Sequence, residues 1–285
     1  MRIAHVTDLH VEAVPQLSEL FNKRLLGAVN LYALGRAAHF SGETRKALVD
    51  AVLAQRPDAV ICTGDLTATA TEAEFRAAAA LLDPILLSIP FTTLSGNHDV
   101  YTSESVGRFA QYFGKWANQG RFPYVFPLGE VDFVGVETCR PDWLSRGLCG
   151  DGQLAILDTV LAASTRPAVV MIHYPLRGRD GSPYGPATRA LSDAAALEAV
   201  LTRHPRVRAV VHGHEHHGYR TSLPNGVLSL NPGASGYAYL PERRRTAHFN
   251  VYTFADDGMD MEVERFAYDG TAFRPESGGA YASGG

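Results

Sequence analysis

The sequence of 285 residues contains little cysteine and lacks any long apolar run. Its three cysteines, Cys62, Cys139 and Cys149, are widely spaced and form no C-x-x-C pair. This excludes a disulfide-stapled miniprotein and a thiolate zinc motif, and reduced thiols lead us to expect a cytoplasmic protein. No apolar stretch reaches the roughly 18 residues that indicate a membrane-spanning helix. Met1 leads directly into a predicted strand, so we expect no signal peptide.

The sequence also lacks an excess of basic charge. It has 26 Lys and Arg against 30 Asp and Glu, a net charge of −4, and its longest basic run is three arginines at 243–245. Nucleic-acid-binding domains normally show a basic stripe, so we expect no nucleic acid partner. Hydrophobic residues make up 46% of the chain, which is ordinary for a globular protein with a substantial core.

Apolar strand patterns alternate with amphipathic helical patterns, and a strand-rich segment follows from residue 218. This order predicts an α/β sandwich with a mixed sheet. Strands are predicted at 2–7, 58–63, 91–95, 122–126, 131–137, 167–172, 207–212, 219–223, 227–230, 246–254 and 259–266. Helices are predicted at 42–55, 71–82, 104–114, 152–164 and 190–203. Thr71 and Glu74 form a capping box for the second helix, and Asp151 is predicted to cap the fourth.

Polar residues typical of metal sites follow five of the predicted strands. They are Asp8, His10, Asp65, Asn97, His98, Asp99, His173, His214 and His216. Because the carboxyl ends of strands in an α/β sheet meet at one crevice, we expect these side chains to converge. Carboxylate and imidazole ligands suit borderline divalent metals. A two-metal site with Asp65 as the bridge would activate a bridging hydroxide for phosphoryl transfer.

These motifs occur in the order D-x-H, G-D, G-N-H-D, a lone His and G-H-x-H. The set resembles the calcineurin-like metallophosphoesterase superfamily over residues 1–255. The resemblance implies a four-layer αββα sandwich, in which two mixed β-sheets are flanked by helices and a dinuclear metal site lies at the C-terminal strand ends. It implies manganese, iron or zinc in two ligand groups, Asp8, His10, Asp65 and His216, and Asp65, Asn97, His173 and His214.

By the same resemblance, His98 contacts the phosphate and protonates the leaving oxygen, so His98 and Asp65 are the predicted catalytic residues. The compact G-D-L-T and G-N-H-D motifs resemble the bacterial class III cyclic-nucleotide phosphodiesterase branch. Protein phosphatases of the superfamily carry an arginine soon after the aspartate, whereas the first arginine here is Arg76. The resemblance therefore implies a metal-dependent phosphodiesterase that acts on a small-molecule phosphoester through a metal-bridging hydroxide, with a cyclic nucleotide as one option. A non-catalytic metal-binding interaction module is the alternative from another class.

We expect one domain over 1–270, an insertion at 13–40 and a flexible glycine- and serine-rich tail at 271–285. The insertion is apolar with flanking basic residues, and two interpretations are open. It is a helical lid that packs on the domain or on a second subunit, or it is a surface that makes peripheral membrane contact. The second interpretation gives an alternative function, the hydrolysis of a lipid-linked phosphoester or nucleotide–lipid pyrophosphate at a membrane surface.

Further candidate residues lie in loops next to the predicted ligands. Asp99 is predicted to anchor its loop rather than to bind metal. Tyr101, Arg140, Tyr174 and Tyr237 are candidates for substrate contact. His5 is predicted to be a buried histidine of the first strand.

Overall fold

A computed structural model of the chain describes residues 1–14, 19, 24–25 and 36–276. Its strands are β1 (Arg2–Val6), β2 (Ala59–Cys62), β3 (Phe91–Thr93), β4 (Tyr124–Leu128), β5 (Val131–Gly135), β6 (Ala168–Met171), β7 (Val207–Val211), β8 (Tyr219–Ser222), β9 (Leu228–Asn231), β10 (His248–Phe254), β11 (Met261–Tyr268) and β12 (Phe273–Pro275). Its α-helices are α1 (Gly42–Ala54), α2 (Glu72–Leu86), α3 (Ser103–Phe113), α4 (Asp151–Ala163) and α5 (Ala194–Arg203).

The strands form two six-stranded sheets, and both sheets are mixed. The first has the order β12-β11-β10-β1-β2-β3, in which β1, β2 and β3 are parallel and the remaining pairs antiparallel. The second has the order β4-β5-β6-β7-β9-β8, with β5, β6, β7 and β9 parallel between antiparallel outer strands. The parallel strands β1, β2, β3, β6 and β7 all precede predicted metal ligands.

Successive side chains of each strand point to opposite faces of its sheet. One face of each sheet packs against the other sheet, and the opposite face packs against helices. Ile3 and Ile61 of the first sheet pack with Phe133 and Met171 of the second, and all four are fully buried between the sheets. The apolar residues on the inner faces of the two sheets therefore form the central core.

The outer faces of the sheets are covered by helices. Leu48 of α1 and Phe75 of α2 pack on the first sheet, and Leu157 of α4 and Leu201 of α5 pack on the second. The order helix, sheet, sheet, helix confirms the predicted four-layer αββα sandwich.

Several predicted helix ends differ from the structure, and α5 begins at Ala194 instead of at 190. Helix α2 continues through Pro84 to Leu86, because Leu82 and Ile85 are both only 1% exposed in the core and their packing outweighs the lost backbone hydrogen bond. The prediction that Asp151 caps α4 is wrong, since Gly150 occupies the cap with a φ of 83° that glycine adopts readily.

The end of the described chain corrects the predicted tail. Residues Phe273–Pro275 form β12 and pair with β11, and Arg265 Nε donates to Glu276 Oε2 at 2.6 Å. The predicted tail therefore begins too early at 271, since residues up to 276 belong to the sheet edge. Residues 277–285 lie outside the described residues.

Most of the predicted insertion at 13–40 also lies outside the described residues. Where it is described, Arg24 is 1% and Glu19 9% exposed, and both contact α3 through Glu104 and Arg108. These contacts favour packing on the domain for this part of the insertion. No helix in the described part of the chain is long and apolar enough to cross a bilayer.

Candidate metal centre

The turns that follow β1 and β2 are hydrogen-bonded to each other and carry the first ligands. Asp8 N donates to Gly64 O at 3.0 Å, and His10 N donates to Asp65 O at 2.9 Å. These bonds continue the parallel pairing of the two strands beyond their ends. The backbone hydrogen bonds therefore hold Asp8 and His10 of one turn next to Asp65 of the other.

Many of the predicted ligands have a left-handed backbone. The φ values of Asp8, His10, Asp65, His214 and His216 lie between 45° and 71°. Residues with a β-carbon adopt this region at a cost of about 1 kcal/mol or more, and such residues cluster at functional sites. In a regular strand, successive side chains would point to opposite faces. In these sharp turns they point toward the same place.

Glycines allow these turns to approach closely. A β-carbon on Gly96 would lie 2.1 Å from Asp65 Oδ1 and 2.2 Å from Asp65 N. A β-carbon on Gly213 would lie 2.1 Å from Thr7 Oγ1 and 2.5 Å from Asp8 Oδ2. There is no room for a β-carbon at these two positions, so the G-N-H-D and G-H-x-H motifs require glycine there.

One group of ligand atoms is contributed by Asp8, His10, Asp65 and His216. One ligand atom from each lies within 4.8 Å of the other three. His10 Nε2 lies 2.9 Å from His216 Nε2 and 3.5 Å from Asp65 Oδ2. An ion with ligand distances of about 2.0–2.2 Å fits among atoms with these separations. Two carboxylates and two imidazoles are donors that divalent transition metals accept.

A second group shares Asp65 with the first. His173 Nε2 lies 3.5 Å from Asp65 Oδ2 and 3.1 Å from Asn97 Oδ1. His214 Nδ1 lies 2.9 Å from the same oxygen of Asn97. Asp65 Oδ2 therefore lies between His10 and His173, one histidine from each group.

Backbone carbonyls set which nitrogen of each histidine carries its hydrogen. His173 Nδ1–H donates to Thr63 O at 2.8 Å, and His214 Nε2–H donates to Arg189 O at 3.0 Å. A carbonyl only accepts, so the lone pair of each neutral ring is on the other nitrogen, which faces Asn97. Hydrogen bonds of this kind are typical of metal-binding histidines.

The charges within the site act strongly on Asp65 and His173. Burial by itself raises the pKa of Asp65, but His173 and His98 outweigh it and hold that pKa well below its usual value. Burial opposes a charged His173, but the attraction of Asp65 prevails and raises the pKa of His173 to about 9. The centre is thus already arranged for positive charge next to Asp65.

His98 lies beside both groups. Its backbone N–H donates to Asp65 Oδ1 at 2.8 Å, and its Nδ1–H donates to Ala68 O at 2.6 Å. Its ring is 4.7 Å from the ring of His10 and 5.7 Å from that of Tyr101, on which it stacks. Tyr101 is therefore next to the predicted catalytic histidine.

Asp99 anchors two turns of the site through its carboxylate. It accepts hydrogen bonds from Leu66 N at 3.1 Å, Thr67 N at 2.9 Å and Gly96 N at 2.9 Å. Burial and the negative charge of Asp65 raise the pKa of Asp99. The carboxylate ties the G-D turn to the G-N-H-D turn.

Two of the other substrate candidates, Tyr174 and Arg140, lie in different settings. Tyr174 is fully buried, its ring is 4.4 Å from that of His214, and its hydroxyl donates to Ser145 O at 2.6 Å. It therefore packs against a predicted ligand, His214. Arg140 is exposed and, with Ser95 and Glu137, lines a cavity of about 280 Å³.

Several supporting residues are outside the predicted site. The Phe40 ring packs 4.6 Å from that of His10, and buried Arg45 donates to His10 O at 3.2 Å. Tyr237, by contrast, is a sequence candidate for substrate contact, and its hydroxyl lies 3.1 Å from His216 Nδ1. Phe40 and Arg45 carry no motif, and a carbonyl such as Arg189 O comes from any residue type. Local sequence therefore provides no signal for these contacts.

Comparisons with known proteins identify the family of this chain. The calcineurin-like phosphoesterase family model matches residues 1–218. A protein of Ruthia magnifica subsp. Calyptogena magnifica named "probable cyclic nucleotide phosphodiesterase" is 23% identical over 229 residues, which cover 80% of this chain and 89% of that protein. A protein of Arcobacter nitrofigilis named "probable glycerophosphodiester phosphodiesterase" is 22% identical over 218 residues, covering 75% of this chain and 78% of that protein.

Solved structures show the same fold. A dimetal phosphatase from Danio rerio superposes with a TM-score of 0.64 at 16% identity, covering 96% of this chain and 98% of that one. A purple acid phosphatase from yellow lupin, Lupinus luteus, gives 0.62 at 19% identity and covers 96% of this chain and 52% of that one. With its family match over residues 1–218, the chain belongs to the calcineurin-like phosphoesterase family and is a hydrolytic enzyme.

Proposed function

We propose that the protein is a phosphodiesterase that works with two metal ions. The observation that carries this proposal is the position of Asp65 Oδ2, which lies 3.5 Å from both His10 Nε2 and His173 Nε2. A carboxylate placed between two ligand groups serves both. Asp8, His10, Asp65 and His216 would hold one ion, and Asp65, Asn97, His173 and His214 the other.

Bound ions would supply Lewis acidity that activates water and offsets charge on the phosphate. The protein holds the donor atoms in place, since carbonyls orient His173 and His214 and the Tyr237 hydroxyl contacts His216. This pre-arrangement avoids reorganisation during the reaction.

His98 is the proton donor of this proposal. Its backbone N–H donates to Asp65 Oδ1 and its Nδ1–H donates to Ala68 O. Proton transfer to the leaving oxygen therefore comes from Nε2 of the doubly protonated ring, and Nδ1 keeps its own hydrogen. A positioned acid of this kind contributes typically about 10²–10⁴-fold to a rate by protonating the leaving oxygen.

A diester is the substrate class that the relatives favour. Both curated relatives described above carry phosphodiesterase names, one for cyclic nucleotides and one for glycerophosphodiesters. Protein phosphatases of the superfamily carry an arginine soon after this aspartate. In this chain the first arginine after Asp65 is Arg76, which argues against a protein substrate. A cyclic nucleotide is one option within the diester class.

Hydrolysis of bis-p-nitrophenyl phosphate with added manganese, iron or zinc tests the proposal. We expect turnover of this diester and slower turnover of the monoester p-nitrophenyl phosphate. Cyclic nucleotides and glycerophosphodiesters extend the panel to the two named classes. Turnover of the monoester alone, or of neither compound with any ion, contradicts the proposal.

Substitution of the shared ligand tests the mechanism. Asp65→Ala should abolish binding of both ions and lower diester turnover more than about 100-fold, since even indirect supporting contacts are worth 10–100-fold. Asp50→Ala is the matched control, because Asp50 is exposed on α1 away from the ligands. Metal analysis showing two retained ions in Asp65→Ala would refute the shared ligand.

A further inference from the structure

Arg24 is the largest fully buried side chain in the described part of the protein, at 1% exposure. It belongs to the inserted segment 13–40, yet its guanidinium is bound at the start of α3. Nη2 donates to Thr102 Oγ1 at 3.0 Å and to Ser105 Oγ at 2.9 Å, and Nη1 pairs with Glu104. A buried guanidinium requires such partners, so the side chain is held in one place.

The same guanidinium binds the loop that follows Asp65. Its Nε donates to Thr69 O at 3.1 Å and its Nη2 to Ala70 O at 3.0 Å. From the other side, the buried carboxylate of Glu74 accepts from Thr69 N at 2.8 Å. The backbone around Thr69 is therefore held through its carbonyls by Arg24 and through its N–H by Glu74.

This loop carries the carbonyl that orients His98. Ala68 O accepts the Nδ1–H of His98 at 2.6 Å, and the next carbonyl along the chain, Thr69 O, is the one bound by Arg24 Nε. Ala70 has a φ of 58°, a conformation that persists only when surrounding contacts impose it. Loss of those contacts would let the loop relax and move the Ala68 carbonyl away from the ring.

We propose that Arg24 is a positioning residue for His98. By holding the carbonyls of Thr69 and Ala70, it keeps Ala68 O where it sets the orientation and tautomer of the His98 ring. The inference rests on the proposed function of His98 as proton donor. It gives this part of the inserted segment a role in the reaction, because a residue from the insertion supports the histidine from behind the loop.

Leaving-group dependence distinguishes this role from general support of the fold. A diester with an alkyl leaving group needs protonation, whereas the p-nitrophenolate of bis-p-nitrophenyl phosphate departs without it. Arg24→Met should lower kcat on the alkyl diester about 10–100-fold, part of the usual worth of a positioned acid. It should leave KM, metal content and kcat on bis-p-nitrophenyl phosphate within about threefold of wild type. Equal losses on both substrates overturn the inference.

Two further variants complete the comparison. Arg24→Lys should lose an intermediate amount on the alkyl diester, since an ammonium lacks the planar fork that reaches both carbonyls. If Arg24→Met does not fold, Arg24→Lys carries the same two-substrate test. Arg76→Met is the matched control, because the Arg76 side chain is 73% exposed on α2, and it should match wild type on both substrates.

A double-mutant cycle separates this inference from the proposed function. In a His98→Ala background, Arg24→Met should cause no additional loss on the alkyl diester, because both changes remove the same proton transfer. Additive losses overturn the Arg24 inference alone. If His98→Ala itself leaves alkyl-diester turnover unchanged, the proposed role of His98 fails and the Arg24 inference fails with it.

NMR of ¹⁵N-labelled histidine provides a measurement that does not depend on turnover. The wild type should show a protonated Nδ1 of His98, and Arg24→Met should show a changed signal. An identical signal in the two proteins overturns the inference.

Discussion

At the scale of single residues, one nitrogen of His173 would bind either a proton or a metal ion in the proposed site. Its Nδ1–H is committed to Thr63 O, so Nε2 takes either the second proton or the ion. The attraction of Asp65 overcomes the effect of burial and raises the pKa of His173 to about 9. A proton on Nε2 therefore competes with metal binding throughout the neutral range.

Metal affinity should for this reason rise with pH. Below the His173 pKa of about 9, binding releases this proton, so we expect the association constant to increase by up to about tenfold for each pH unit between 6.5 and 8.5. Calorimetric titration of the metal-free protein with Zn²⁺ or Mn²⁺ in buffers of different ionisation enthalpy measures both the affinity and the released proton.

His204→Asn provides the control for that titration. His204 lies beside Asp158, 2.7 Å from its carboxylate, on the helix layer of the second sheet, so its replacement should leave the pH dependence unchanged. An affinity that is constant from pH 6.5 to 8.5 in the wild type would disprove the competition at His173.

At the scale of elements, the turns after the strands bring the predicted ligands together. The turn after β3 approaches the turn after β2 so closely that glycine is required at position 96, where a β-carbon would lie 2.2 Å from the backbone nitrogen of Asp65. At Gly107, in the middle of α3, such a carbon would have no atom within 4 Å apart from its chain neighbours and the backbone of its own helix. A β-carbon would therefore clash at position 96, whereas position 107 has room for one.

This contrast predicts opposite results for the same substitution. Gly96→Ala should lower metal affinity at least about tenfold, because Asp65 has to move. Gly107→Ala should leave metal affinity unchanged and raise the free energy of unfolding by up to about 1 kcal/mol, since alanine is the better helix former. Metal titration and urea unfolding of both variants provide the measurements, and equal metal affinity in the two would count against the close approach.

The elements also show what the sequence could predict. Motifs with fixed spacing, such as G-N-H-D, identify Asn97 and His98 because the chemistry requires those residue types at those places. Arg24 and Phe40 support the site through tertiary contacts over 30 or more residues of sequence separation, and no local pattern marks them. Asp151 shows the reverse case, in which a good cap residue lost its place to Gly150 and its φ of 83°.

At the scale of the whole molecule, the order of strands and helices predicts an α/β sandwich with a mixed sheet, whereas the two packed sheets are implied by the resemblance to the superfamily. Ile3 and Phe133 lie on predicted strands, but no sequence pattern shows that they pack together, because they belong to different sheets. His5, also on β1, is fully buried and hydrogen-bonded to Tyr252 and Thr63, as predicted for a buried strand histidine.

Global stability should therefore respond to acid through His5. Burial, with a smaller contribution from His212, lowers the pKa of His5 from 6.5 to about 3. The unfolded chain then binds more protons below pH 6.5, so this contribution to stability is complete above pH 6.5 and is lost as the pH falls toward 3. The full effect is on the order of 5 kcal/mol.

Urea unfolding of wild type and His5→Gln at pH 7, 6 and 5 measures this effect. The wild type should lose more stability than the variant between pH 6.5 and 5, because only the wild type has this proton to gain on unfolding. Carboxylates contribute equally to both proteins, so the difference isolates His5. Parallel pH profiles would contradict a depressed pKa.

The left-handed turns at the ligands have a consequence for protein engineering. Asp8, His10, Asp65, His214 and His216 adopt a backbone that glycine tolerates better than they do. Glycine at such a position would relax the backbone but would delete a ligand, so greater heat resistance and retained activity exclude each other there. Variants for use at high temperature should therefore be sought among exposed helix positions such as Gly107, and libraries that randomise the turns should select for function before stability.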